Sequence, residues 1–217
     1  MAKKDEKLTI FKKKLKQEIL ISFDLSTSCS GWAIFDIDTK ELLDSGFVKG
    51  SEKGLSKLTY PRRQLAKMEA MAGILSALID QIDPDFIVIE EINSGVSRLG
   101  QKTLDGLHWI FLQKFKDHRA KIIYKDSDGL SGWRKDLDLN LSKDDKLKNK
   151  QIRDFNSKVS KKDQKPIIHK KHVAVRFVNK TFNKTHSLDF KYENSPTYVD
   201  VCDAICCGFS VVQQLKL

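Results

Sequence analysis

Four acidic residues are the part of this sequence best suited to chemistry. Asp24 and Glu90 each follow an apolar, β-rich run, and Asp200 and Asp203 lie three residues apart in a segment with helical spacing. Side chains three residues apart project from one face of a helix. Like charges in apolar surroundings repel one another unless a cation joins them. Carboxylates from three converging elements therefore predict a site for Mg²⁺ or Mn²⁺, which prefer oxygen ligands, and no Cys/His set is spaced for zinc.

Each acid also has a purely structural interpretation when it is taken alone. Asp24 is typical of an aspartate that caps the turn after a strand and stays in water. The pair on the helix equally suits a polar side that faces solvent. The combination of two strand ends with a helix pair is what favours a metal site.

The apolar pattern predicts an α/β protein whose strands carry two of these acids. Three extended segments with short polar connections are typical of an antiparallel meander, and a later continuous apolar run is typical of a central parallel strand. Helical periodicity marks the segments between and after them. The predicted strands are 18–25, 31–36, 41–48, 86–89 and 121–124, and the predicted helices are 61–82, 97–117, 173–182 and a last one opened by Ser195 and Pro196. The wide apolar face of helix 97–117 suits a subunit interface or a deep core position.

The charge of the chain favours a polyanionic partner. The 217 residues carry a net charge of +10, which suits nucleic acid but also lysine-rich solubility. Residues 1–16 hold seven Lys against two acids, and residues 134–171 hold thirteen Lys and Arg against six Asp. Such clustering favours a binding face. We predict a basic N-terminal arm over 1–17 and a single domain over 18–217, with a Lys-rich insertion, solvated or a mobile loop, at about 136–165.

Two further expectations concern the setting of the protein. No stretch reaches the roughly 20 apolar residues of a membrane span, and no apolar segment of signal-peptide form follows the N-terminal lysines. We therefore expect a cytoplasmic protein. Three of its four cysteines lie within six residues of one predicted helix, which is poor geometry for disulfides, so we expect reduced and buried thiols at Cys29, Cys202, Cys206 and Cys207.

Three motifs occur along the chain in an order and with a spacing that resemble those of a known family. They are Phe23-Asp24 with a seven-residue step to Gly31, Pro84-Asp85 before a strand that ends in Glu90, and Asp200-Val-Cys-Asp203-Ala-Ile on the last helix. Together they resemble the RuvC family of Holliday junction resolvases, over most of 18–135 and 166–215. The resemblance implies an RNase H-like mixed five-stranded sheet flanked by helices, a homodimer, and metal-dependent cutting of two opposed strands at a four-way DNA junction. The chain's size and Lys-rich insertion are similar to bacteriophage members, which act in DNA recombination and repair in the host cytoplasm.

The resemblance also implies which residues act. The catalytic and metal-binding acids fall on Asp24, Glu90, Asp200 and Asp203, with two Mg²⁺ ions per site. Phosphodiester chemistry with ions about 3.5–4 Å apart leaves a 5′-phosphate and a 3′-hydroxyl. Glu91 should point to the opposite side of its strand. Where many members carry an aromatic wedge, this chain has Asn93. The basic residues expected to contact the DNA backbone are Arg134, Lys135, Lys161, Lys162, Lys170 and Lys171.

Other functions stay open on the sequence alone. A related RNase H-like nuclease would act on flaps, forks or RNA. The turn from Asp24 to Gly31 also resembles the first phosphate-binding turn of actin and sugar-kinase ATPases, which need a second glycine-rich loop that this chain does not show. A non-catalytic nucleic-acid-binding protein would leave the acids without a role. The histidines at 169, 172 and 186 are expected to be ordinary surface or helix residues.

Overall fold

The computed structural model describes residues 18–50, 54–91, 98–186 and 196–215. The predicted basic arm, Asn93 and Ser195 lie outside these residues. The strands are β1 (Ile19–Asp24), β2 (Cys29–Asp36), β3 (Leu42–Lys49), β4 (Phe86–Glu90) and β5 (Lys121–Lys125). The helices are α1 (Arg62–Ile82), α2 (Arg98–Phe115), α3 (Trp133–Asp136), α4 (Lys143–Asn156), α5 (Lys170–His186) and α6 (Pro196–Gln214).

The five strands form one mixed sheet in the order β3-β2-β1-β4-β5. Strands β1 to β3 are antiparallel neighbours, whereas β4 pairs in parallel with β1 and β5 pairs in parallel with β4. The parallel pairs need long crossovers, and α1 and α2 provide them. The predicted RNase H-like mixed sheet flanked by helices is confirmed.

Both faces of the sheet are covered because alternate strand residues point to opposite sides. Ile21 and Phe23 of β1 are fully buried against α1 and α2, and Leu20 is fully buried in the second core with α5 and α6. Each fully buried side chain of this size stabilises the fold by about 1.5–3 kcal/mol. The central strand β1 is therefore fixed from both sides, and so is the acid at its end.

Asp85, from the Pro84-Asp85 motif, holds the start of β1 in place. Asp85 accepts a hydrogen bond from the Ile19 backbone N–H at 2.9 Å and pairs with Arg119 at 2.7 Å. Arg119 also pairs with Asp83 at 3.1 Å. Asp85 thus ties the start of β1 to the chain that leads into β5, which is a structural role.

The insertion predicted at about 136–165 is not a mobile loop, because it contains helix α4. The helix begins with a capping box in which Ser142 and Asp145 satisfy each other's backbone N–H groups. The first insertion residue, Asp136, is anchored as well, since it pairs with Lys125 at 2.7 Å and accepts a hydrogen bond from Ser210 at 2.6 Å. The sequence showed no apolar period here because the buried residues of α4 are Asp145 and Asn149.

Two expectations about the setting can be compared with this fold. The expectation of buried cysteines is confirmed for Cys202, Cys206 and Cys207 and wrong for Cys29, which is partly exposed at the start of β2. Among the described residues, none of the helices combines the length and apolar character needed to cross a bilayer.

Candidate active site

The parallel pairing of β1 with β4 brings two of the predicted acids side by side. Phe23 is the register partner of Ile89, so the next residues, Asp24 and Glu90, lie level at the ends of adjacent strands. Phe23 and Ile89 are fully buried on the α1 and α2 side of the sheet. Because side chains alternate along a strand, Asp24 and Glu90 turn to the opposite side, where α6 packs.

Helix α6 reaches this side of the sheet through two glycines. A Cβ atom at Gly31 would overlap the backbone carbonyl of Asp200, and one at Gly208 would overlap the side chain of Ser22. Ser22 in turn donates a hydrogen bond to the Ala204 carbonyl at 2.7 Å. The small residues of β1 and β2 therefore set how closely α6, with its two acids, approaches Asp24. At Gly31 the group that comes close is the backbone of α6.

Three carboxylates from three elements form a compact cluster. One oxygen each from Asp24, Glu90 and Asp203 lie within 4.8 Å of one another. Asp203 is only 1% exposed. Its Oδ1 atom is buried and has no hydrogen-bond partner within the described residues. Asp200, one turn before Asp203 on α6, is not part of this group of three and lies on the more exposed side.

Two cations border the cluster. The Lys171 ammonium at the start of α5 lies 3.0 Å from Asp203 Oδ2 and 3.7 Å from Asp200 Oδ1. The Arg134 guanidinium lies 3.7 Å from Asp203 Oδ2 and stacks 4.2 Å from the centre of the buried Trp133 ring. The Lys171 side chain is 44% exposed, so it faces both the acids and solvent.

The crowding of acids raises the pKa of several of them. Burial, reinforced by the charges of Glu90 and Asp203, raises the pKa of Asp24 well above its usual range. Burial and the charge of Asp203 raise the pKa of Glu90 to about 7. Burial raises the pKa of Asp200 to about 6 although Lys171 opposes the shift. Burial alone would lower the pKa of Lys171, but Asp203 and Asp24 more than offset this and raise it.

These features fit a divalent cation held by oxygen ligands. Three carboxylates lie beside two cations, and burial together with the charges of the neighbouring acids raises the pKa of Asp24 and Glu90. The buried Asp203 Oδ1 would otherwise be an unpaired acceptor, which is costly in a protein interior. Hard carboxylate oxygens are the ligands that Mg²⁺ and Mn²⁺ prefer. Asp24, Glu90 and Asp203 are therefore suited to bind such a cation together.

The other predicted basic residues lie at different distances from the acids. Lys170 pairs with Asp128 at 2.7 Å, and Asp128 also pairs with Arg134 at 3.3 Å. Lys135 on α3 is exposed. Lys161 and Lys162 are exposed on a short 3₁₀ turn, Lys161–Asp163. The structure thus brings Arg134 and Lys171 to the acids themselves and leaves the remaining four as surface residues of the same region of sequence.

Three neighbours of the site bear on predictions made from the sequence. Glu91 is exposed and hydrogen-bonds with Asp126, apart from the group of three acids, as expected for the alternate side of the strand. Exposed His169 donates its backbone N–H to Nδ1 of partly exposed His172, which agrees with ordinary surface histidines. The side chain of His186 lies outside the described residues.

Sequence reasoning missed two residues that support the site. Ser127 is buried and hydrogen-bonds the Glu90 carboxylate, an interaction that lowers the pKa of that group. Asp128 links Arg134 to Lys170. The signal in the sequence was the polar, glycine-containing stretch after β5, because such loops at the carboxyl end of a parallel strand border the site that the strand end forms.

Comparisons with known proteins find distant similarity to solved structures alone. The chain has no match among protein-family models or curated proteins. Among solved structures it is similar to Thermus thermophilus RuvC (10% identity over 88% of this chain and 92% of that chain, TM-score 0.49). It is also similar to the same organism's RuvC in complex with a Holliday junction substrate (11%, 89% and 91%, TM-score 0.47). The yeast mitochondrial Holliday junction resolvase Ydc2 is similar at 14% identity, over 97% of this chain and 85% of that chain, with a TM-score of 0.49. The family that the sequence motifs resemble is thus represented among these structures.

Proposed function

We propose that this chain is a divalent-metal-dependent endonuclease that resolves four-way DNA junctions. The observation that carries the proposal is the group of three carboxylates within 4.8 Å, delivered by β1, β4 and α6 of an RNase H-like sheet. The net charge of +10 supports a polyanionic substrate. One similar solved structure is a RuvC in complex with a Holliday junction substrate, which supports branched DNA as the substrate of this chain.

Asp24, Glu90 and Asp203 would hold the metal, with Asp200 as a fourth acid beside them. A bound Mg²⁺ or Mn²⁺ supplies positive charge that activates water for attack and offsets the charge developing on the scissile phosphate. Direct hydrolysis by water leaves a 5′-phosphate and a 3′-hydroxyl. We propose two ions per site in the complex with DNA.

The two cations beside the acids would orient the scissile phosphate. Lys171 is partly exposed and lies within 3.7 Å of both α6 acids, so its ammonium can also donate to a phosphate oxygen at the mouth of the site. Arg134 is held by Trp133 and Asp128, which leaves little freedom for its guanidinium. A fixed guanidinium is suited to phosphate because it donates in a planar fork. Lys135, Lys161, Lys162 and Lys170 would contact the backbone further from the cut.

We propose that the protein acts as a homodimer, since resolving a junction needs two opposed cuts and the described part of each chain offers one cluster of acids. Helix α2 supports this because Trp109 is 72% exposed and Leu99 is 48% exposed on its surface. Large exposed apolar side chains of this kind are enriched at subunit interfaces. A phage origin and a role in the host cytoplasm are part of the same proposal.

The test is cleavage of a synthetic four-way junction with Mg²⁺. We expect Asp24→Asn, Asp203→Asn and Glu90→Gln to lower cleavage by at least 100-fold while junction binding persists. The matched control is Glu91→Gln, which changes the adjacent exposed carboxylate and should keep near-normal cleavage. Full activity in Asp203→Asn would remove the metal-site assignment.

Substrates tested side by side would separate the competing activities. A junction resolvase should cut the four-way junction faster than a fork, a flap or an RNA–DNA hybrid of the same sequence. Preferential cutting of the flap or the hybrid would assign the same site to a different RNase H-like nuclease. ATP hydrolysis without any nuclease activity would favour the ATPase alternative.

A further inference from the structure

Helix α4 is held to the protein by polar clamps and contributes no fully buried apolar side chain. Its two buried residues are Asp145 and Asn149. Asp145 forms a two-pronged ion pair with Arg176 of α5, at 2.7 and 3.1 Å. Asn149 both donates to the Ile168 carbonyl and accepts from the Ile168 N–H, each at 2.8 Å. Filling the core is therefore not what this helix does.

The clamps join α4 to the segment that leads into α5. Asn156 pairs in the same two-way manner with the backbone of Lys165, at 2.8 and 2.9 Å. The seven residues from Asn149 to Asn156 rise about 10 Å along a helix, and three extended residues from Lys165 to Ile168 span about 10 Å. The return segment thus runs back along α4 and leads directly into α5, where Lys171 reaches Asp203.

One exposed flank of α4, next to the face that Asp145 and Asn149 bury, carries a row of positive charge. Lys143, Lys146, Lys150 and Arg153 follow one another at steps of three, four and three residues, which keeps them on one stripe of a helix. All four are exposed, and none forms an ion pair with another residue in the described part of the chain. We call these four residues the α4 stripe. Asp154 borders it, so the local net charge is about +3.

We propose that the α4 stripe binds the phosphate backbone of a duplex arm of the branched DNA that is cut at the acidic site. This inference rests on the proposed function and names the surface that holds the substrate. The stripe spans ten residues, or about 15 Å, and the phosphates of one DNA strand recur every 3.4 Å of rise along the duplex axis. With α4 lying along that axis, the stripe covers the rise of about four nucleotides, which gives at most about four phosphate contacts for the four cations.

Because α4 is linked rigidly to α5, the contact between the α4 stripe and a DNA arm would position that arm. An arm held on the stripe is fixed relative to Lys171 and the acids, because the clamps at Asp145, Asn149 and Asn156 join α4 to the chain that carries Lys171. Phosphate contacts of this kind position a duplex without reading its sequence. The stripe would therefore set which arm enters the site and would leave the cleavage sequence to other residues.

The experiment measures junction binding against salt for a stripe variant and a control variant. The stripe variant is Lys143→Gln, Lys146→Gln, Lys150→Gln and Arg153→Gln. The control neutralises four exposed lysines away from the stripe and from α2, with Lys57→Gln, Lys116→Gln, Lys121→Gln and Lys180→Gln. Fluorescence anisotropy of a labelled four-way junction is recorded without divalent metal at 50–200 mM NaCl.

Each phosphate contact contributes about 0.9 to the slope of log affinity against log salt. Loss of four contacts should flatten that slope by about 3.6, so between 50 and 200 mM salt the wild type loses about 150-fold more affinity than the stripe variant. The control should keep the wild-type slope. A variant with Lys143→Arg, Lys146→Arg and Lys150→Arg retains the positive charges and should also keep the wild-type slope.

Two results would overturn the inference: a stripe variant that matches the control, or an arginine variant that flattens the slope as much as the glutamine variant. Suppose that the wild type binds the junction and cuts it with Mg²⁺ while the stripe variant matches the control. The proposed role of the α4 stripe is then wrong, and the proposed function stands. Wild-type protein that neither binds nor cuts the junction removes the proposed function together with the stripe.

Discussion

Replacing Glu90 by Gln should stabilise the metal-free protein even though it removes a predicted metal ligand. The pKa of Glu90 is raised from 4.5 to about 7 by burial and by the charge of Asp203. In the unfolded chain the carboxyl group loses its proton near 4.5, so between these pH values the native state binds more protons than the unfolded state. Stability is then lost as pH rises from 4.5 to about 7.

The size of the destabilisation follows from the shift in the pKa of Glu90. A change from 4.5 to about 7 corresponds to up to about 3 kcal/mol of destabilisation once the pH exceeds 7, at about 1.4 kcal/mol per pKa unit. The amide of Gln carries no charge and retains an oxygen that can accept the hydrogen bond from Ser127. For a chain of this length, 3 kcal/mol raises the melting temperature by roughly 6–12 °C.

Thermal unfolding with a chelator present, followed by circular dichroism from pH 4 to 8, measures this effect. The variant and wild type should unfold together near pH 4 and diverge as the pH rises, with the variant more stable at pH 8. Glu91→Gln is the matched control, since Glu91 is exposed and lies outside the group of three acids. A Glu90 variant that gains nothing at pH 8 over the Glu91 variant would refute the argument that uncompensated charge strains the site.

Three other outcomes follow from the same geometry. Gly31→Ala should destabilise the protein by about 1–3 kcal/mol, because its Cβ would push against the Asp200 carbonyl, whereas Gly73→Ala on α1 has open space and should gain up to about 1 kcal/mol in a urea titration. Lys171→Met should lower the free energy of unfolding by about 1–2 kcal/mol at pH 8 without metal; the loss is partial because the Lys171 side chain is 44% exposed. Saturating Mg²⁺ should make this destabilisation smaller. Calorimetric titration with Mn²⁺ should give one site per chain for the free protein and two with an uncleavable junction bound; two sites in the free protein would contradict the charge balance behind this expectation.

The strands and most helices were predictable because their buried faces are apolar. Helix α1 was predicted over 61–82 and spans Arg62–Ile82, and β4 was predicted over 86–89 and spans Phe86–Glu90. Helix α4 was missed for the opposite reason, since its buried face is made by Asp145 and Asn149. A polar face leaves no hydrophobic period, and the remaining signal was the Ser142 to Asp145 spacing of a capping box.

Sequence reasoning named Asp24, Glu90 and Asp203, which the structure brings together, but could not say which of two adjacent lysines would lie beside them. It predicted DNA-backbone contact for Lys170 and Lys171 alike, whereas in the structure Lys171 pairs with Asp203 and Lys170 pairs with Asp128. Successive helical residues point about 100° apart, so the starting angle of α5 decides which one meets the site. That angle depends on the packing of α5 and on the Asn149 clamp, which brings together residues nineteen positions apart.

The charge balance of the site explains why the acids, the cations and a metal belong together. With every group ionised, Asp24, Glu90, Asp200 and Asp203 carry four negative charges, and Arg134 and Lys171 return two positive ones. One divalent cation brings this sum to zero. A second would leave an excess of two positive charges in a partly buried site, which is costly until a phosphodiester backbone supplies the opposite charge. For the proposed nuclease, this balance predicts that the free protein binds one divalent ion and that a second ion binds only when DNA occupies the site.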